Sequence, residues 1–284
     1  MNVIIDTEPL SEVIGLRVNG IDLRDPLDDE TKASFQQMLA EKCVLCFPKQ
    51  EISPEDQCRF ANIFGRADGG PRDRSNGNLK SSAKRGVMFV SNIRENGVPI
   101  GSLPDGEMQF HSDGAHRDYP YRATTLFGIK IPSHGGNTLF ANLQVAYDML
   151  SSEMKDRVET LKTQTVYDYS AQDRSTIGSD PELPRAQHKL IKVHPVTGRK
   201  SLYLSRLMTE MILNMDYDRS EALLAKLFDH AEKTEFVYSH KWTPGDLVIW
   251  DNRSTNHART DFPREEQRLL RRYTVSDPAA PLGN

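Results

Sequence analysis

Two His-x-Asp triplets are the residues with the clearest potential for chemistry in this sequence. They are His111-Ser-Asp113 and His116-Arg-Asp118. The first ends the alternating stretch EMQFHSD, which places its imidazole and its carboxylate on the same face at the end of a strand. The second lies in GAHRDYPYR, whose proline and charges are typical of a loop. We therefore predict that His111 and Asp113 provide two ligands to one metal ion.

A third ligand is expected from His257, which follows the strand pattern DLVIWD and a polar turn at the rim of the sheet. Two histidines and one carboxylate form the facial triad of non-haem Fe(II) oxygenases, which leaves three metal positions open for substrates. Zinc hydrolases can use the same three ligands, so the triad alone does not choose the metal.

Arg268 follows His257 by eleven residues and begins the last strand pattern, RLLRRYTV. An unpaired guanidinium in such apolar surroundings would be costly, so an anionic partner is expected. The partner is either the distal carboxylate of a cosubstrate that chelates the metal or an internal Asp or Glu.

The elements that must position these residues are mostly short strands. After the helical pattern DDETKASFQQMLAEK come a buried strand, CVLCFP, and a second helix that Ser53 caps and Gly65 follows. From residue 87 onward, β-branched and aromatic runs alternate with turns. Helical patterns interrupt them at residues 146–161 and 219–233. Because βαβ alternation is missing, we predict a mainly β fold with flanking helices, a sandwich or jelly roll.

Two polar segments, near residues 66–106 and 168–187, are predicted to be mobile loops that wall a pocket. Residues 66–86 are especially rich in Gly, Ser and Arg. Substrate contacts are expected from Arg72, Arg74, Arg117 and Tyr119. Arg117 and Tyr119 could equally form a surface ion pair and a packed ring.

Cys43 and Cys46 form a CxxC motif inside an apolar strand pattern, where a redox pair or half a zinc site could be considered. The only other cysteine, Cys58, has no histidine near it in the sequence. We interpret Cys43 and Cys46 as buried structural cysteines, and three cysteines do not make a disulfide framework.

Composition bounds the remaining possibilities. The chain has 284 residues, with 36 Lys and Arg against 40 Asp and Glu, for a formal net charge of −4. This balance argues against nucleic-acid binding. No window reaches the ~18 apolar residues of a membrane span, and the polar start MNVIIDTEPLSE does not resemble a signal peptide. We expect one cytoplasmic domain over residues 1–284.

Several ordered blocks resemble the Fe(II)- and 2-oxoglutarate-dependent dioxygenases related to taurine dioxygenase and 2,4-dichlorophenoxyacetate dioxygenase. They are LAEKCVLCFPKQEISPEDQCRFANIFG, FHSDGAHRDYP, IPSHGGNTLFANLQVAYDML, VHPVTGRKSLYLSR, WTPGDLVIWDNRSTNHARTDF and QRLLRRYTV. The resemblance covers most of the chain. It implies a double-stranded β-helix (a cupin-like jelly roll) with Fe(II) as cofactor and with 2-oxoglutarate and O2 as cosubstrates.

The resemblance also assigns individual residues. His111, Asp113 and His257 match the iron ligands, and Thr138 and Arg268 match the residues that hold the distal carboxylate of 2-oxoglutarate. Trp250 and Asn252, in a recurrent WDNR block, are read as structural support for the strand before the closing histidine. In residues 66–106 we find no counterpart of the family's substrate-contacting histidine.

Arg272 matches the position that meets the substrate's sulfonate in taurine dioxygenase. Strand alternation places Arg268, Leu270 and Arg272 on one face and Arg271 on the other, unless a bulge intervenes. We therefore predict that Arg272 orients an anionic substrate. The alternative is that Arg272 pairs with a protein carboxylate or with the C1 carboxylate of the cosubstrate.

The implied reaction hydroxylates, and thereby in some cases cleaves, a small organic anion while 2-oxoglutarate becomes succinate and CO2. A zinc-dependent hydrolase on the same triad and a non-catalytic jelly-roll binding protein are the alternatives. A zinc hydrolase would need a general base near the metal, and no HExxH motif is present. The family resemblance also implies a homo-oligomer, a dimer or a tetramer.

Overall fold

The computed structural model describes residues 5–67, 87–102, 106–169 and 174–280. Its helices are α1 (Asp29–Lys42), α2 (Pro54–Ala61), α3 (Leu143–Asp148), α4 (Ser152–Val158) and α5 (Tyr217–Ala231). Short 3₁₀ turns lie at Arg174–Thr176 and Thr234–Phe236. In the described ranges, no helix combines the length and the apolar character needed to cross a bilayer.

The strands of the N-terminal half are β1 (Thr7–Pro9), β2 (Leu16–Val18), β3 (Val44–Phe47), β4 (Arg66–Ala67), β5 (Val87–Ser91), β6 (Arg94–Glu95), β7 (Val98–Pro99), β8 (Met108–His111), β9 (Tyr121–Lys130) and β10 (Thr138–Asn142). The later strands are β11 (Lys162–Val166), β12 (Arg185–Lys189), β13 (Ile191–Val193), β14 (Lys200–Leu202), β15 (Thr209–Ile212), β16 (Val237–His240), β17 (Leu247–Asp251), β18 (Thr255–Arg259) and β19 (Leu269–Ser276).

Two sheets form the body of the molecule. The larger has the order β1-β2-β3-β17-β9-β19-β4, with β5 also paired to β19, and the smaller has the order β16-β10-β18-β8. All of these pairs are antiparallel except β2 with β3. Many short antiparallel strands in two facing sheets are the architecture of a jelly roll, which the sequence predicted.

Strand β17 shows why the larger sheet is buried on both faces. Leu247 and Ile249 join a cluster with helices α1 and α2, whereas Val248 and Trp250 point into the core between the two sheets. Because successive strand residues point to opposite faces, one strand fills two cores. Trp250 and Phe140, from opposite sheets, have ring centroids 5.4 Å apart in the inner core.

Helices α1 and α2 cover the outer face of the larger sheet, and both begin as predicted. Asp28 accepts the backbone N–H of Thr31 at the start of α1, and Ser53 and Asp56 form a reciprocal capping box at the start of α2. Such caps satisfy backbone donors that the first turn would leave unpaired.

Three sequence expectations are corrected. The helical pattern at 146–161 is two helices, because Ser151 caps the backbone N–H of Met154 and starts α4 anew. The segment near 66–106 that was expected to be a loop contains the short strands β6 and β7, besides β5, which agrees with the β pattern predicted from residue 87 onward, and the loop expected at 168–187 ends in strand β12. His257 follows the polar turn, as expected, but lies in the middle of strand β18 instead of at the rim of the sheet. Arg72 and Arg74 lie outside the described residues.

Candidate metal and cosubstrate site

Strands β8 and β18 bring the predicted metal ligands together. His257 lies directly opposite His111 in this antiparallel pair, and their ring centroids are 4.1 Å apart. Asp113 follows β8 by two residues. The potential ligand atoms of all three residues lie within 4.8 Å of one another, and all three residues are buried. The predicted triad is therefore one compact cluster.

The protonation of this cluster suits a divalent cation. Nδ1 of His111 lies 3.0 Å from the carbonyl oxygen of Gln109, which can only accept, so Nδ1 carries the proton and Nε2 keeps its lone pair. Burial lowers the pKa of His257 to about 3 and also lowers the pKa of His111. Burial opposes the charge of Asp113, but Arg272 and the two histidines hold the pKa of this carboxyl well below its usual range. Two neutral imidazoles and one carboxylate are the forms that bind metal.

A chain of hydrogen bonds orients Asp113 from behind. Thr124 Oγ1 donates to Asp113 Oδ2 at 2.7 Å, and Asn252 Nδ2 donates to Thr124 Oγ1 at 3.0 Å. Trp250 Nε1 in turn donates to Asn252 Oδ1 at 2.9 Å, while Ser112 Oγ donates to the Asn252 carbonyl. Trp250 and Asn252 thus support the Asp113 carboxylate as well as the end of strand β17. Sequence reasoning missed Thr124, which has no motif of its own.

Arg268 is a buried cation whose guanidinium lies against the loop before strand β10. It is 2% exposed, and its Nε donates to the carbonyl oxygen of Gly136 at 3.2 Å. Among the described residues, no carboxylate lies within 4.0 Å of its guanidinium, and burial followed by the charge of Arg259 lowers its pKa to about 9. A guanidinium in this position fits an incoming carboxylate. The internal-carboxylate alternative finds no partner in the described part of the chain.

The loop before strand β10 is shaped to receive Arg268. Gly136 has φ +64°, and a Cβ at this position would lie 3.1 Å from Nε of Arg268, so a larger residue would crowd the guanidinium. Two residues later Thr138 is buried, and its Oγ1 accepts the indole N–H of Trp242 at 3.0 Å. Since the oxygen serves as acceptor for Trp242, the hydroxyl proton of Thr138 is available to a carboxylate. Trp242 is a second supporting residue that sequence reasoning missed.

Arg272 enters the metal cluster, and Arg271 does not. Arg272 Nη2 lies 2.6 Å from Asp113 Oδ1, whereas Arg271 bonds to Gln57 Oε1 at 2.7 Å and to the Ile52 carbonyl at 2.8 Å on the opposite face. Arg271 and Arg272 therefore lie on opposite faces, as predicted, but the register of β19 with β9 shifts between Leu269 and Leu270, which is an irregularity of the kind that could interrupt the alternation from Arg268. The protein carboxylate considered as an alternative partner is the metal-ligand candidate Asp113.

Aromatic rings line the same side of the cluster. Tyr169 meets His111 edge-on with ring centroids 5.9 Å apart, Tyr167 packs 4.7 Å from Tyr169, and His116 packs 4.6 Å from Tyr167. Burial raises the pKa of the Tyr169 phenol well above its usual value, so the phenol is neutral. The described residues thus place the Arg272 guanidinium and the rings of Tyr167 and Tyr169 near the cluster.

The structure does not bring Arg117 and Tyr119 into contact with the triad. The Arg117 guanidinium lies 4.8 Å above the ring of Tyr121, and Tyr119 is 49% exposed. Tyr119 is therefore not a packed ring, and the predicted substrate contacts of Arg117 and Tyr119 stay predictions.

Comparison with known proteins shows which family this chain belongs to. The profile of the family described as "Taurine catabolism dioxygenase TauD, TfdA family" matches residues 6–274. The chain belongs to this family. A relative in the TauD/TfdA family, the (S)-phenoxypropionate/alpha-ketoglutarate-dioxygenase of Sphingobium herbicidovorans, is 31% identical over 99% of this chain and 98% of its own length.

Two further TauD/TfdA proteins are similar over nearly the whole chain. The alpha-ketoglutarate-dependent 2,4-dichlorophenoxyacetate dioxygenase of Cupriavidus pinatubonensis is 29% identical over 95% of this chain and 97% of its own. The crystal structure of AAD-2 in complex with Mn(II) and N-oxalylglycine has a TM-score of 0.78 at 31% identity, covering 97% of this chain and 98% of that chain. The predicted jelly roll and the predicted class of enzyme, a 2-oxoglutarate-dependent dioxygenase, are confirmed for this TauD/TfdA member.

Proposed function

We propose that this enzyme is an Fe(II)-dependent hydroxylase that oxidises a small organic anion and releases succinate and CO2. The observations that carry the proposal are the buried cluster of His111, Asp113 and His257 and the buried Arg268, whose guanidinium has no carboxylate partner among the described residues. Carboxylate and imidazole ligands suit iron, and a chelating keto acid would supply the anion that Arg268 lacks.

In this proposal, bound Fe(II), 2-oxoglutarate and O2 supply the oxidation, with one oxygen atom entering the substrate and the other entering succinate. His111, Asp113 and His257 hold the metal, and the Thr124 bond keeps the carboxylate of Asp113 oriented. Arg268 and Thr138 bind the distal carboxylate of 2-oxoglutarate, which fixes the keto acid in one orientation.

Arg272 is proposed to attract the anionic group of the substrate. Burial opposes the charge of Arg272, but Asp113 raises the pKa of its guanidinium. Three tyrosines, Tyr121, Tyr169 and Tyr167, raise it further. A guanidinium among aromatic rings favours an anion with an aromatic or other apolar body. The relatives named for phenoxypropionate and 2,4-dichlorophenoxyacetate support aryloxyalkanoates as the first substrates to test.

An anaerobic titration tests the cofactor. Addition of Fe(II) and 2-oxoglutarate should produce a weak visible metal-to-ligand charge-transfer band, which neither a zinc hydrolase nor a metal-free binding protein would give. A panel of sulfonates, carboxylates and aryloxyalkanoates is then screened for substrate-dependent succinate. Hydrolysis of a panel member without O2 consumption would contradict the proposal.

Arg272→Met, with Arg271→Met as the matched control, tests the substrate site. The first variant should raise the KM for the anionic substrate at least tenfold while 2-oxoglutarate affinity changes little, because a charge-assisted hydrogen bond contributes ~1.5–3 kcal/mol. The second should leave both constants nearly unchanged. Equal weakening of substrate and 2-oxoglutarate by Arg272→Met would assign Arg272 to the cosubstrate instead.

The proposal also includes a dimeric or tetrameric assembly and a cytoplasmic location. Analytical ultracentrifugation tests the first, and cell fractionation tests the second.

A further inference from the structure

A second cluster of potential metal ligands lies in the core between the sheets. Cys46 of β3, His240 at the end of β16 and Asp246 just before β17 place one potential ligand atom each within 4.8 Å of the others. All three residues are buried, with exposed fractions of 0%, 1% and 4%. None of them belongs to the His111, Asp113 and His257 cluster.

His240 aims one ring nitrogen into this cluster without a hydrogen bond. Its Nδ1 lies 3.1 Å from the hydroxyl of Tyr238, which fixes the ring orientation. Its Nε2 lies 3.3 Å from Asp246 Oδ2, yet it makes no hydrogen bond to any described atom. Buried polar atoms are nearly always satisfied, so an unsatisfied imidazole nitrogen 3.3 Å from a carboxylate, in a cluster that also holds a thiol, calls for a ligand.

The charges of the cluster favour a cation as that ligand. The Asp246 carboxylate accepts the backbone N–H of Thr243 at 2.9 Å, and no Lys or Arg of the described chain forms an ion pair with it. Burial and the Asp246 carboxylate raise the pKa of the Cys46 thiol to about 12. A divalent cation would replace the thiol proton and offset both negative charges.

We propose that Cys46, His240 and Asp246 form a second, structural metal site for a zinc-like divalent cation. Thiolate, imidazole and carboxylate are the ligands that Zn²⁺ takes in proteins. The ion would join β3 and β17 of the larger sheet to β16 of the smaller. It would also support the cosubstrate site, because the His240 ring lies 4.6 Å from Trp242, which donates to Thr138.

The test uses the full chain carrying His111→Ala and His257→Ala, which removes the other cluster. Because the second cluster is buried, Co(II) is added during refolding. We expect one Co(II) per chain with an intense near-ultraviolet thiolate-to-cobalt charge-transfer band. Cys46→Ser should abolish the band, and Cys43→Ser should keep it. Cys43 is the matched control, since it is equally buried and lies at the other end of the same CxxC motif.

A thermal measurement covers the case in which Cys46→Ser disturbs the core. Refolding with Zn(II) should raise the Tm of the double-alanine chain. In the double-alanine chain that also carries Cys46→Val, Zn(II) should leave the Tm unchanged. Failure of the double-alanine chain to retain Co(II) or Zn(II) overturns the proposal. So does a charge-transfer band that survives Cys46→Ser. Neither result bears on the proposed iron site, because two of its three ligands, His111 and His257, are replaced in the test protein.

Discussion

Replacing Arg268 by Met should weaken 2-oxoglutarate binding and stabilise the unliganded fold at the same time. The guanidinium is buried and hydrogen-bonded through Nε to a carbonyl oxygen, and burial lowers its pKa from 12.5 to about 9. Since one pKa unit corresponds to about 1.4 kcal/mol, keeping this group charged in the folded protein costs on the order of 5 kcal/mol. The lost hydrogen bond and imperfect packing of Met offset part of the gain, which leaves about 1–3 kcal/mol of net stabilisation.

The cost to binding follows from the same contact. A charge-assisted hydrogen bond contributes ~1.5–3 kcal/mol, so 2-oxoglutarate affinity should fall at least tenfold. Calorimetric titration of 2-oxoglutarate into the Mn(II)-loaded protein measures the affinity, and urea unfolding without ligand measures the stability. Met keeps most of the length of the Arg side chain, so the change is mainly one of charge.

Arg271→Met is the control for the stability measurement. Arg271 is also buried, but it bonds to Gln57 and to the Ile52 carbonyl, and its removal leaves these acceptors unsatisfied. We expect this variant to lose about 1–3 kcal/mol of stability and to bind 2-oxoglutarate normally. The reasoning is refuted if Arg268→Met binds 2-oxoglutarate like the wild type, or if it is destabilised as much as Arg271→Met.

Four shorter predictions accompany this one. His257→Ala should abolish substrate-dependent succinate formation and keep the far-UV circular dichroism spectrum; residual turnover at the wild-type rate would refute its assignment. Asn252→Ala should lower Mn(II) affinity about 10–100-fold, as for other outer-shell partners of metal ligands, and unchanged affinity would show that the hydrogen-bond chain is dispensable. Thr138→Val should raise the KM for 2-oxoglutarate less than Arg268→Met does, because it loses one neutral hydrogen bond; an equal or larger effect would contradict this ranking. Burial lowers the pKa of Lys192 to about 7 against 10.5 in the unfolded chain, so the unfolded state binds more protons and the free energy of unfolding rises between about pH 7 and 10. Urea unfolding across this range should show that Lys192→Met flattens the rise, and an unaltered slope would exclude Lys192 as its source.

The sequence was sufficient for features that depend on neighbouring residues. Alternation placed His111 with Asp113 and separated Arg272 from Arg271, and the cap residue Ser53 located the start of α2. These signals are local, since side-chain direction along a strand and capping at a helix start depend on only a few positions.

Contacts between distant strands were beyond sequence reasoning. Thr124 reaches Asn252 across 128 residues, and Trp242 reaches Thr138 across 104. Periodicity shows which residues share a face of one strand, but it does not show which strands become neighbours. The cluster at Cys46 was missed for this reason, because its histidine ends β16 and its carboxylate precedes β17, about 200 residues later in the chain.

Because His111 pairs directly with His257, an ion bound by both residues would depend on how strands β8 and β18 are aligned. Because strand side chains alternate, a slip of one residue between β8 and β18 would turn one imidazole to the opposite face and break the cluster. An ion bound by both strands would therefore favour the observed alignment over alignments shifted by one residue while the smaller sheet forms. The turn at residues 252–254 directly precedes β18. An insertion there that shifts the alignment of β18 with β8 should accordingly lower metal affinity before secondary structure is lost.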